Sequence, residues 1–246
     1  MPSFLQYAGV ILGVGFLTTA MAAPSGLQSP ETKFPASKIK EVEIYKLTGN
    51  IEIFASPQNE AWIEKSGTEC KTEIALEQNT LTVRELDGSS DLNCPHPLKA
   101  YIPAQAALRL NSNAANVTAQ GLRGSVDLEL GSGNSTFKES GGSIRAYVNS
   151  GDVRLENFAG RAHMRTKSGN ITISMEQAAA GNQLNLETRS GNVQVQLPPG
   201  LEAVTNLKTT SGHITDDYGP DKNKQHPLRV RVQTQSGNVA VQKMVL

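Results

Sequence analysis

The sequence predicts an all-β protein, a single-chain β-solenoid with an irregular N-terminal β cap. Three observations predict it. Apolar and polar residues alternate in short runs from Val42 onward, the period-two signature of half-buried strands. A ten-residue phrase centred on Ser-Gly recurs through the C-terminal half at near-constant spacing. The one helix-like run, Met175 to Ala180, is too short to carry a fold.

The chain has 246 residues, and its 23 lysines and arginines are matched by 23 aspartates and glutamates. That length is ample for a buried core without metals or disulfides. The zero formal charge argues against nucleic acid as a partner, since such binders show a basic excess.

Taken in order, residues 1–22 contain no Asp, Glu, Lys or Arg. Tyr7 to Leu17 is apolar but short for a bilayer span, and Ala20-Met21-Ala22 fits a signal-peptidase site. We expect a signal peptide over 1–22, no transmembrane segment in the mature chain, and export to the periplasm or cell surface. An uncleaved N-terminal anchor is the alternative, because the first residues lack Lys and Arg. Residues 23–39, rich in Pro, Ser and Gly, read as a flexible leader. Residues 40–105 keep the alternation without regular spacing, and read as first irregular coils plus a cap. They hold Cys70 and Cys94, which an oxidising compartment would join in a disulfide. That bond would close 25 residues, counted from 70 to 94, worth roughly 3–4 kcal/mol. A metal site with His96 and a pair of free thiols are the alternatives.

Residues 106–246 hold the repeats. Ala146 to Leu155, Met164 to Ile173, Leu186 to Val195, Leu207 to Asp216 and Val232 to Val241 are close copies, each with Ser-Gly in the middle. Leu128 to Phe137 is looser, Leu110 to Ala119 is degenerate, and Ile44 to Ile53 stands alone. The central residue falls at 115, 133, 151, 169, 191, 212 and 237, in steps of 18, 18, 18, 22, 21 and 25. Ser-Gly-Asn supplies a corner between two strands. Gly124, Gly142, Gly160, Gly181 and Gly200 mark a second corner. Each repeat is then two short strands and two corners. A meander of hairpins could use this pattern, but constant spacing favours coils stacked on one another, with corner asparagines forming a ladder. The expected core includes Leu155, Met164, Ile171, Leu186, Val193, Leu207, Ile214, Val232 and Val239. Thr166, Thr188, Thr209 and Thr234 should turn inward, with hydroxyls reaching backbone.

Gly49-Asn50-Ile51, Asn79 to Val83, Tyr101-Ile102-Pro103 and the repeated corners resemble a bacterial family of exported putative adhesins. It is a domain of unknown function with Ser-Gly-[Asn/Asp]-[Val/Ile] strands. The resemblance covers residues 40 to 246. It implies a β-solenoid fold and an adhesin-like role, and attaches no catalytic residues.

The residues themselves call for no cofactor and no metal. The histidines are scattered, and no nucleophile elbow, Walker loop or dinucleotide fingerprint occurs. Asp216, Asp217, Asp221 and Asn223 only faintly suggest a calcium loop. Before the corner, stacked coils would align Arg145, Arg165, Lys167, Arg189 and Arg231 into a basic stripe. It reads either as a docking face for an anionic glycan or lipid head group, or as a solvated face that keeps the protein soluble. The expected function is a non-catalytic, adhesin-like binding or structural module whose partner is an envelope or host glycan or a protein. A polysaccharide-active enzyme on a β-helix is the alternative.

Overall fold

The computed structural model describes residues 31–65, 71–86, 96–177, 182–220 and 228–244. The expected signal peptide, Cys70, Cys94, Gly181, Asp221 and Asn223 lie outside these residues.

The described residues are β-rich and contain no α-helix. They form two open sheets, one of ten and one of eleven strands. In the ten-stranded sheet most strands run seven to ten residues, as in Gly141–Ser150 and Ala159–Ser168. In the other they run three to six, as in Val153–Glu156 and Ile171–Ser174. Each repeat places a longer strand in the first sheet, turns at Ser-Gly, and places a shorter strand in the second. Neighbouring coils pair in parallel, so like positions stack: Ala146 on Met164, Met164 on Leu186, Leu186 on Val232. Alternate residues turn inward, and both sheets share one aliphatic core.

The corners carry two ladders. The Gly151 N–H donates to the Ser168 carbonyl, Gly169 to Ser190, and Gly191 to Ser236. The side chains form a second ladder, in which each side-chain oxygen accepts from the next coil's backbone N–H, and the Asn116 and Asn170 amides also donate to Asn50 (3.3 Å) and Asp152 (3.1 Å). The Asn134 side-chain oxygen accepts from the Asp152 N–H (2.9 Å), Asp152 from Asn170 (2.7 Å), and Asn170 from Asn192 (2.9 Å). Only an acceptor is needed, which is why Asp152 serves as well as asparagine. Thr166, Thr188, Thr209 and Thr234 donate to the glycine carbonyls of neighbouring coils at 3.0–3.4 Å, as their inward placement implies.

Spatial order departs from sequence order at both ends. The lone copy around Gly49 stacks directly on the coil of Ala115: Tyr45 lies beside Asn111, and Ile51 beside Val117. The last coil, Leu228–Ser236 with Val239–Lys243, inserts between Gln183–Leu197 and the coil of Ala203–Ser211. The corner residues therefore stack as 49, 115, 133, 151, 169, 191, 237 and 212. The step from 191 to 212 thus skips one slot of the stack, and the 25-residue step from 212 to 237 returns to fill it.

This order corrects two expected core positions. Leu207 is half-buried and Ile214 is 46% exposed, because among the described residues their coil ends the stack. The other expected core residues are buried. The second corner also differs. Of the expected glycines, Gly142 and Gly200 have positive φ, but so do Gly121, Glu139 and Asn157, and Gly142 and Gly160 already lie at the start of the strands that follow. Residues 31–38, read as part of a flexible leader, form the strand Glu31–Pro35 and a 3-10 turn. That strand pairs antiparallel with Glu60–Lys65, which pairs antiparallel with Leu98–Ile102. On the outer side Trp62 stacks on Tyr101 at 4.1 Å, and Tyr101 on Phe54 at 5.2 Å. The other sheet ends in the antiparallel pair Thr72–Glu77 and Thr80–Glu85. Both sheets therefore switch to antiparallel pairing at the N-terminal end. Beside the first corner the inward position is Lys46, whose ammonium lies 3.6 Å from the Glu85 carboxylate, both side chains under a tenth exposed.

Candidate functional site

The outward face of the long-strand sheet carries most of the molecule's arrayed polar chemistry. Because like positions stack, its side chains form columns about 4.8 Å apart from coil to coil. The residue before each phrase gives one column: Arg109, Asp127, Arg145, His163, Asn185, Arg231. The second residue gives another: Tyr45, Asn111, Glu129, Tyr147, Arg165, Glu187, Gln233. Lys167 and Arg189 occupy the fourth position.

The expected stripe therefore spans three columns of one face, and acids interrupt it. The Arg145 guanidinium donates to both Asp127 oxygens, at 3.1 and 3.3 Å. Arg165 lies 2.7 Å from Glu187. Among the described residues no carboxylate pairs with Lys167, Arg189 or Arg231. Lys167 and Arg189, with Arg165, Glu187, Gln233 and Gln235, line a shallow groove of about 330 Å³. The C-terminal half of the face is thus basic, and Arg145 belongs to the other half.

In that other half a second groove, also about 330 Å³, runs along the stack from Tyr45 to Tyr147, with Arg109, Asn111, Asp127, Glu129 and Arg145 between them. The Asn111 amide donates to Glu129 at 3.0 Å. Arg109 lies 3.1 Å from Glu41 and 3.5 Å from Glu43. Each tyrosine is braced from the coil outside the groove. The Arg84 guanidinium sits 5.1 Å from the Tyr45 ring centroid, and His163 meets Tyr147 edge-on at 5.9 Å. Burial, joined by the Glu43 carboxylate, holds the Tyr45 phenol above its usual range, and its hydroxyl donates to Glu43 at 3.3 Å. This groove was not expected. Aligning the second residue of each phrase would have exposed its column, but only with the lone copy at 44–53 placed next to the copy at 110–119.

Among the described residues no three His, Cys, Asp or Glu side chains gather as metal ligands. No helix there is long and apolar enough to cross a membrane.

A parallel stack of Ser-Gly-cornered coils with arrayed polar faces defines a class of repetitive all-β domains. Within that class, the chain belongs to the Toastrack DUF4097 family, whose sequence profile matches residues 28–242. Its fold is similar to that of a putative adhesin from Bacteroides fragilis NCTC 9343, at TM-score 0.53 and 14% identity over 89% of this chain and 98% of that one. A putative cell adhesion protein from Clostridium sporogenes ATCC 15579 is similar at TM-score 0.41 and 9% identity, over 88% of this chain and 100% of that one. No curated protein matches the chain.

Proposed function

We propose that this chain is an exported, non-catalytic binding module, a β-solenoid held in the periplasm or at the cell surface. Its long-strand face docks an anionic glycan or lipid head group of the envelope or of a host. The observation that carries this reading is the basic half of that face. Lys167, Arg189 and Arg231 project there from three consecutive coils, with no carboxylate of the described residues paired to them. A rigid ladder repeating every 4.8 Å suits an extended polyanion better than a small molecule. The similar fold of the Bacteroides fragilis putative adhesin is in keeping with the same role.

The test is a triple charge reversal, Lys167→Glu, Arg189→Glu and Arg231→Glu, probed on acidic glycan arrays and on anionic phospholipid vesicles. Binding by the natural protein should weaken as salt rises and vanish in the variant, with the melting temperature nearly unchanged, since single exposed charges contribute little to stability. Unaltered binding would remove the basic half as the site. Turnover of any polysaccharide by the purified protein would overturn the non-catalytic role.

A further inference from the structure

The groove between Tyr45 and Tyr147 differs in chemistry from the basic half of the same face. Two cations, Arg109 and Arg145, and two carboxylates, Asp127 and Glu129, line it, so its formal charge is zero. Nothing there selects an ionised ligand. The two rings stand at its ends, separated by Asn111 and Glu129 on the intervening coils. Three coil steps put them about 14 Å apart, close to the separation of the terminal rings of a tetrasaccharide.

We propose that this groove binds a short neutral oligosaccharide laid along the stack axis. The inference rests on the reading of the chain as a non-catalytic binding module, and names a second ligand class for it. The C–H faces of terminal sugar rings pack on the tyrosines, which combine apolar area with a polar edge. Sugar hydroxyls meet the fixed donors and acceptors between them. The Glu129 oxygen not engaged by Asn111 accepts from a hydroxyl, and the Asn111 amide and the arginines supply donors. The bracing matters here. Arg84 and His163 hold each ring from outside the groove, so less side-chain freedom is lost on binding.

The test uses the mature chain and four neutral tetrasaccharide probes: cellotetraose, maltotetraose, mannotetraose and tetra-N-acetylchitotetraose. Binding is read by saturation-transfer NMR and by titration of amide shifts. At least one probe should bind and shift amides of the coils from Tyr45 to Tyr147. Tyr147→Ala and Tyr45→Ala should each weaken it about tenfold or more, Tyr147→Phe should retain it, and melting curves should show all variants folded. The triple charge reversal in the basic half should leave it intact. Loss of binding in that charge variant with retention in the tyrosine variants would overturn this groove while upholding the basic site. Failure of every probe to bind the natural protein would overturn the groove, while binding to acidic glycans would still sustain the proposed function. Retained tetrasaccharide binding in both tyrosine variants would also overturn it.

Discussion

Gly169 meets two demands at once. Its φ is +153°, and a Cβ there would lie 2.0 Å from the Gly151 carbonyl oxygen of the neighbouring coil. Gly169→Ala therefore adds a backbone clash to backbone strain, and we expect a loss of about 2–4 kcal/mol in urea unfolding. Gly200 also has positive φ, +80°, but nothing lies within 4 Å of its would-be Cβ. Gly200→Ala should cost only about 1–2 kcal/mol. Equal losses at the two positions would refute the clash. The asparagine ladder makes a sharper distinction. Asn192 accepts from the Asn238 N–H at 2.8 Å, so Asn192→Ala should cost about 1 kcal/mol, while Asn192→Asp keeps the acceptor and should stay close to the natural protein. His213 occupies the last rung, giving its N–H to Asn238 at 2.9 Å, and among the described residues no coil lies beyond it. His213→Ala should therefore be nearly neutral in the same assay. The repeated Ser-Gly-Asn was legible as a corner in the sequence. Which atom of the asparagine matters was not, because that depends on the rise between coils.

At the scale of the strand, the alternation of apolar residues identified the inward face correctly where a coil has neighbours on both sides. It failed at Leu207 and Ile214, whose local pattern matches the other copies. Periodicity records which way a side chain points, and exposure also depends on what stacks above it. The same logic yields a prediction. Ile171 is fully buried in mid-stack, and Ile171→Ala should cost about 2–5 kcal/mol. Ile214→Ala, at a coil with one open side, should cost less than about 1 kcal/mol. Comparable denaturant midpoints for the two variants would mean that the 203–216 coil is covered. The candidate site shows the same division. Lys167, Arg189 and Arg231 were readable as outward residues on one face. The neutralisation of Arg145 by Asp127 and of Arg165 by Glu187 needed the lateral register between coils. The tyrosine groove needed the still longer-range fact that residue 45 neighbours residue 111.

For the whole molecule, the decisive feature is the placement of residues 228–243 between two coils that precede them. The copies at 186–195 and 207–216 have no direct strand pairing, and each pairs instead with the tail. Ending the chain at residue 227 should thus remove more than one coil's worth of stability. We expect the amides of 203–216 to lose hydrogen-exchange protection together with a lowered denaturant midpoint. Persistent protection of that coil in the shortened chain would show it pairing directly with 183–197. A plain stack could be cut at any rung and leave a smaller, sound stack. This one cannot be cut back past residue 228 in that way. Whether the chain emerges from a ribosome or from a translocation channel, residues 228–243 arrive after the two coils they separate and fill the slot between them. A chain interrupted before residue 228 therefore presents two long unpaired edges at once, so closure of the coils at 183–216 waits on a segment synthesised after both.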